Sequence, residues 1–600
     1  MGNQAFLADA FRLDHPERYA LGTYVTRTVP RVPAHERGMP LRRPLRIYTM
    51  DPAASRLDGS VATIEIPFEA LAPGPVGRLF RVDAMDYAAQ QAYHPADLDS
   101  PYALLRQGYD PSPSDPRFHQ QMLYAVCCKV YCTFRGALGR DIAWGFSRTE
   151  DTGRLYLRPH AFNGVNACYD KTEGTLNFGY QEGSQGGVVF TGLSHDVVAH
   201  EVTHAILDGL RSNFDVPSGP DVAAFHEAFS DLVALFQRLS YPELVREALR
   251  KARGVPEQAD AITGLAHQVG RELGRDAALR SAIGPETPAK YDESLEAHDL
   301  GAILLSAVFE AFTDVYRRKS ARYMRLATQG SGILPPGELQ YELLEMLTGT
   351  CSRLAKQFLV LLIRAVDYCP PVDLRFGEYL RAMITADHEL VPDDRWAYRE
   401  AMIKAFARRG IYPRHVASLT EDALLWRPPT GRHAPLSGLS FAELRFEGDP
   451  ASAASPEELR RQADVLGEYV SRPEHAAEFG LLAAPVDGIR PDLPRVESIR
   501  TARRSGPDGQ LIFDLVAEVT QQCIVAASGG KPEFSICGGS TVILGPDGEI
   551  RYIISKSVTG ADRVQRRLAF MESPTGRQFW RREGRRMHQS GPLVAMLHHV

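Results

Sequence analysis

At 600 residues, with 44% apolar and 24% charged side chains, the chain is long enough for several domain-sized units and has the composition of an ordinary globular protein. That excludes a collagen-like, coiled-coil or mainly disordered architecture. Lys plus Arg at 68 against Asp plus Glu at 74 leaves a formal charge of -6, too small a bias to recruit nucleic acid or an anionic membrane by electrostatics alone.

The start, MGNQAFLADAFRLDHPERYA, lacks the order of a secretion signal, and no run approaches the roughly 18 apolar residues of a membrane span. Phe358–Ile363 is the longest candidate, and a cytoplasmic protein with no membrane partner is expected. Cys127, Cys128, Cys132, Cys168, Cys351, Cys369, Cys523 and Cys537 form no C-x-x-C pair, so free, mostly buried thiols are expected.

Residues 1–44, rich in Pro and Arg, read as an arm. Leu45–Tyr48, Val61–Pro67 and Val76–Asp83 read as strands, and Asp115–Gly136 turns helical, with an Asp N-cap before Pro116. Leu155–Tyr180 holds short runs split by Asn-Gly and Glu-Gly, which predict antiparallel strands. Helical spacing then marks Val197–Leu210, Val222–Leu239, Gly301–Tyr316, Leu339–Val366 and Tyr379–Ala407. WRPPTGRHAPL (426–436) and APVDGIRPDLPRV (484–496) read as linkers. Leu511–Ala527, Phe534–Leu544 and Ile550–Val558 read as strands, with Gly545–Gly548 turning between the last two. The Arg-rich stretch from Arg563 to Arg586 suits a solvated helical face or an acidic partner.

His200-Glu201-Val202-Thr203-His204 is an H-E-x-x-H inside an apolar helical run. Two His at i and i+4 project from one face, so their imidazoles can grip one metal ion beside Glu201. A catalytic zinc site needs a third protein ligand and an open position. In DVAAFHEAFSDLVALF, Glu227 follows His204 by 23 residues, far enough for a loop to bring a second helix back against the first. Asp231, one turn further, can accept the free ring N–H of a ligating His.

Together these motifs resemble the thermolysin-like zinc metallopeptidases of the gluzincin group, over roughly residues 110–412. The resemblance implies an α+β, two-lobed peptidase core with Zn2+ held by His200, His204 and Glu227, and an additional β-rich C-terminal domain. It implies an endopeptidase that cleaves peptide bonds with a zinc-activated water, using Glu201 as general base. Asn166-Ala167-Cys168-Tyr169 resembles the edge strand on which the family lays an extended peptide, which assigns Asn166 and Ala167 to substrate binding. EAHDLGAILLSAVFEAF (296–312) resembles the later helix whose leading His, here His298, stabilises the transition state.

Three departures stand out. Residues 205–225 contain no Tyr for the oxyanion, although Phe214 falls nearby; His226 stands where Asn is usual, as an outer donor or an alternative ligand; and Arg238 replaces an acid that serves calcium, although Asp196 is kept. The expected units are an arm (1–44), a β-rich lobe (45–195), a helical lobe with most of the zinc site (196–412), a linker with helical segment (413–499) and an α/β C-terminal domain (500–600). The expected partner is a protein or peptide substrate, with the C-terminal domain available to a protein partner. The alternative reading is a non-catalytic zinc-containing binding or regulatory protein on a peptidase-like scaffold.

Overall fold

The structure is a computed structural model that describes residues 18–25, 27, 29, 38–52, 58–146, 153–184, 186–273, 278–283, 287–446, 448–450, 452–505, 509–560 and 562–598. Most of the expected arm lies outside the described residues. The chain mixes helix and sheet in the α+β manner, with strands leading and helices following.

Arg42–Tyr48 pairs antiparallel with Val61–Pro67, and the alternating Leu45, Ile47, Ile64 and Ile66 point inward. The run at Val76–Asp83 shortens to a strand Phe80–Val82, because Val76 is spent on single bridges to Ala72 and Arg81. The helix Pro116–Leu138 starts where Asp115 Oδ1 accepts the N–H of Arg117 at 3.0 Å, and stops at Gly139, whose φ of 71° suits a left-handed cap.

The expectation of antiparallel pairing throughout Leu155–Tyr180 is corrected. Ala167–Asp170 does run antiparallel to Thr175–Glu182, but Leu155–Asn163 pairs with that same strand in parallel. Two successive reversals restore the chain direction, and they leave Ala167–Asp170 on the outer side of Thr175–Glu182.

The first metal helix, His195–Leu210, is buried along most of its length. The second, Pro220–Leu239, begins after an extended Gly219 with Pro at its first position, which spares an unpaired N–H. A third helix, Ala297–Ala327, crosses the second at close range. Gly301 permits this: a Cβ there would stand 3.0 Å from the Ala224 carbonyl and 3.5 Å from Glu227 Cβ.

Tyr379–Ala407 is two helices, Phe376–Leu390 and Tyr398–Arg408, because Pro392 cannot donate to a continuing helix. The helix expected at Leu339–Val366, which includes the longest membrane candidate Phe358–Ile363, largely coincides with Tyr341–Tyr368, a run apolar and long enough to cross a membrane, yet 67% of its apolar window is buried inside the protein. Its Phe358 stacks on Phe236 and meets the edge of Phe312, as a core helix does.

The later sheet orders Ala20–Leu21, Arg495–Ser505, Leu511–Val525, Phe534–Leu544 and Ile550–Lys556. It starts before residue 500, and the helix Pro456–Val470, expected in the connecting segment, packs on it. Ala502, Val516, Ile543 and Ile554 of this sheet belong to the same core as the metal helices. The Arg-rich stretch is not one solvated helix: the helix Arg563–Glu572 ends early, and Arg563 and Arg567 are buried, donating to Asp373 Oδ2 and the Pro217 carbonyl.

Candidate metal centre

The i, i+4 spacing brings His200 and His204 together with their Nε2 atoms 3.0 Å apart. Glu227 comes in from the second helix, Oε2 standing 3.5 Å from His200 Nε2 and Oε1 3.6 Å from His204 Nε2. A fourth donor arrives from far along the chain: His598 Nε2 lies 3.3 Å from His204 Nε2 and 3.5 Å from Glu227 Oε1. All four donors fall within 4.8 Å of one another. Ligands about 2.0 to 2.1 Å from a tetrahedral zinc stand roughly 3.3 to 3.4 Å from each other, so this set has the spacing of a coordination shell. The cluster could hold a metal ion.

An outer layer fixes the imidazoles. Asp231 Oδ1 lies 2.8 Å from His200 Nδ1 and can only accept, so that nitrogen carries the proton and Nε2 keeps its lone pair. His226 Nε2 is 2.9 Å from the Phe214 carbonyl and therefore donates, which leaves its Nδ1 to accept from His204 Nδ1 at 3.4 Å. Both ligating rings thus face the centre with free Nε2 atoms. His226 belongs to this outer layer. Phe214 is core, edge-on to Phe225, and brings no hydroxyl toward the centre.

Burial opposes the charge on Glu227, but Arg280 and His200 hold its carboxyl well below the usual carboxylate range. Arg280 Nη2 donates to Glu227 Oε2 at 2.9 Å, and its Nη1 to Asp231 Oδ1 at 2.6 Å. Burial likewise opposes a second proton on His200, while Asp231 and Glu227 outweigh it and raise its pKa to about 9, so a metal ion binding at Nε2 would displace that proton. His204 goes the other way: burial and the neighbouring His200 push it well below the usual value, so it stays neutral.

Glu201 is 3% exposed and its Oε2 has no hydrogen-bond partner, while Oε1 lies 3.8 Å from His598 Nδ1. Glu227 Oε1 is also without a hydrogen-bond partner. Unpaired buried carboxylate oxygens are unfavourable in a purely protein interior. A divalent cation among them removes that penalty, so the residues present fit a metal.

His298 stands at the rim of the centre. Its Nε2 is 3.3 Å from Glu227 Oε2 and its Nδ1 2.9 Å from Glu296 Oε1. Burial lowers its basicity, but Glu227 and Glu296 prevail and raise its pKa to about 9. Asn166 donates from Nδ2 to the His598 carbonyl at 2.8 Å. Ala167 is less available, because its N–H is taken by Asn166 Oδ1.

Arg280 and His598 escaped the sequence reading. Arg280 sits in RDAALRSAIG without a motif, and His598 follows an apolar run whose helical spacing suggests only core. A cavity of about 530 Å³ opens elsewhere, lined by Asp221, Arg375, Arg563, Arg567 and Trp580 among others. The chain matches no protein-family model and no curated protein.

Proposed function

We propose that the chain is a zinc-dependent endopeptidase with a two-lobed, thermolysin-like core. The observation that carries this reading is the convergence of His200, His204 and Glu227 on one point, with the orphaned carboxylate of Glu201 beside it. Two imidazoles and one carboxylate are the donor set of a catalytic zinc. When bound there, zinc supplies Lewis acidity that polarises a carbonyl and acidifies a water.

The protein's own groups do the rest. Glu201 takes a proton from the attacking water at its unpartnered oxygen and returns it to the leaving amine. His298, at the rim 3.3 Å from Glu227 Oε2, donates from Nε2 toward the negative charge that grows on the carbonyl oxygen. Arg280 pins Glu227 and Asp231, and Asp231 orients His200. Asn166 catches a peptide carbonyl, the group it already binds on His598. An extended peptide laid along the free side of Ala167–Asp170 would offer such a carbonyl, which favours peptides as the substrate class.

The second reading, a metal-containing binding or regulatory protein without catalysis, draws support from the fourth protein donor, since closed four-ligand sites are structural. Its partners would use the later sheet and its helices. Glu201→Gln separates the two. It keeps side-chain volume and all metal donors, so folding and zinc content persist while peptide cleavage falls at least about a hundredfold. Equal cleavage by wild type and variant, or none by any form across a broad peptide library, rejects the peptidase.

A further inference from the structure

The helix Leu593–His598 lies against the edge strand Ala167–Asp170 and the second metal helix. Leu593 and Leu597 enter a core shared with Val222, Ala223, Ala297 and Trp580, and Val594 enters the main core. The segment leading into it is tied to the loop between the metal helices: Gln589 Nε2 donates to the Asp215 carbonyl and Trp580 Nε1 to the Pro217 carbonyl, at 3.4 and 2.9 Å. This docking delivers His598 to the centre with its carbonyl on Asn166 and its ring edge-on to both His200 and His204.

We propose that residues 592–598 are an internal peptide ligand that holds the enzyme latent, with His598 occupying the position that water and substrate need. Three relationships carry this. His598 Nε2 completes the shell at ligand spacing, 3.3 Å from His204 Nε2 and 3.5 Å from Glu227 Oε1. Its Nδ1, 3.8 Å from Glu201 Oε1, fills the space beside the general base. Its carbonyl takes the Asn166 amide that would otherwise hold a substrate peptide.

A permanently structural metal accounts for the four donors but leaves Glu201 without a purpose, since its Oε2 has no hydrogen-bond partner and it is absent from the donor set. Latency accounts for both. The docked element is one short helix anchored by three apolar side chains, so its release exposes the centre without unfolding either metal helix. Just upstream, the hairpin Trp580–Glu583 and Arg586–Gln589 projects the exposed Arg581, Arg582, Arg585 and Arg586, of which Arg586 pairs with Glu533 at 2.8 Å.

The inference rests on the peptidase reading only for its cleavage readout, so the experiment measures access separately. Zinc-loaded full chain, His598→Ala and a truncation after Gly591 are titrated with acetohydroxamic acid, a small zinc chelating probe, and assayed on a peptide library. A plug in place nine-tenths of the time weakens apparent affinity about tenfold. Both variants are therefore expected to bind the hydroxamate at least about tenfold more tightly than the full chain, and a synthetic peptide of residues 590–598 should restore the weak binding of the truncation. Equal hydroxamate affinity in all three forms overturns the plug, even if all of them cleave peptides. Loss of zinc from both variants overturns it too, making His598 a permanent structural ligand. Gated hydroxamate binding with no cleavage by any form leaves the plug standing and removes the peptidase.

Discussion

Arg238 Nη1 lies 2.6 Å from Asp196 Oδ2, joining the last turn of the second metal helix to the first turn of the first. The guanidinium also donates to the carbonyls of Ile262 and Gly264, and Asp196 accepts the N–H of Ala266. Burial disfavours the Asp196 charge, yet Arg238 holds its pKa below the usual value. A side-chain cation therefore stands where the resemblance would place an acid for calcium.

Arg238→Met leaves Asp196 charged, buried and unpaired, and should destabilise the fold by about 3 to 5 kcal/mol, the loss seen when one partner of a buried pair is removed. Chemical denaturation reads this directly. A calcium-selective chelator should leave the melt of the native chain in place. A fall of about 10 °C on chelation, worth several kcal/mol, would reveal a calcium site that these residues do not build.

Asp231 touches no metal in the proposed arrangement but orients His200 at 2.8 Å. Asp231→Asn should keep one zinc per chain while weakening its affinity about 10- to 100-fold, the range for partners of metal-bound imidazoles. His204→Ala should lose the metal. Competition with a zinc chelator of known affinity distinguishes the two, and full zinc retention by His204→Ala would show that the ion sits elsewhere.

Those residues were legible because helical periodicity is local. His200, Glu201 and His204 share one helix face, and Glu227 and Asp231 share another, so spacing alone brings each set together. His598 reaches His204 across 394 residues of chain, a proximity created by the docking of Leu593 and Leu597 and unmarked in the sequence around it. Arg280 arrives in the same way, on a two-residue strand, Arg280–Ser281, paired with Gly264–Leu265. The strands near Leu155 were visible as apolar runs. Their parallel pairing was not, because alternation reports a strand's faces and says nothing of its neighbour.

The same limit governs the later sheet, whose character as a separable unit was read from Pro-rich linkers. Arg211 and Glu518, each 2% exposed in its side chain, form an ion pair at 3.1 Å between the end of the first metal helix and this sheet. Arg211 also donates to Thr541 Oγ1, and Arg364 to the Arg503 carbonyl. A chain ending at residue 415 should therefore be insoluble. Cleavage within 426–436 of the intact protein should leave two fragments that co-elute on gel filtration. A soluble, zinc-binding 1–415 fragment would show that the two parts fold independently.

A histidine pair outside the metal centre and two buried aspartates should pull the acid side of the stability curve in opposite directions. His119 Nδ1 and His160 Nε2 lie 2.8 Å apart, both buried. Burial lowers the pKa of His119 to about 3, helped by His160, and that of His160 to about 4. The unfolded chain binds these protons near pH 6.5, so between about pH 6.5 and 4 the unfolded state gains protons that the folded state refuses. Each histidine makes stability fall with acidification, by about 1.4 kcal/mol per pH unit. Asp221 and Asp387 act oppositely, since burial raises both to about 6, and their contribution grows as pH falls from about 6 toward 4. Across that window the two pairs therefore impose opposing slopes on the native profile. Relative to that profile, His160→Gln should tilt stability upward on acidification, and Asp221→Asn should tilt it downward. Urea midpoints at pH 6.5, 5.5 and 4.5 read the slopes whatever each variant does to absolute stability, and parallel profiles for wild type and both variants would show that neither group titrates as its burial requires.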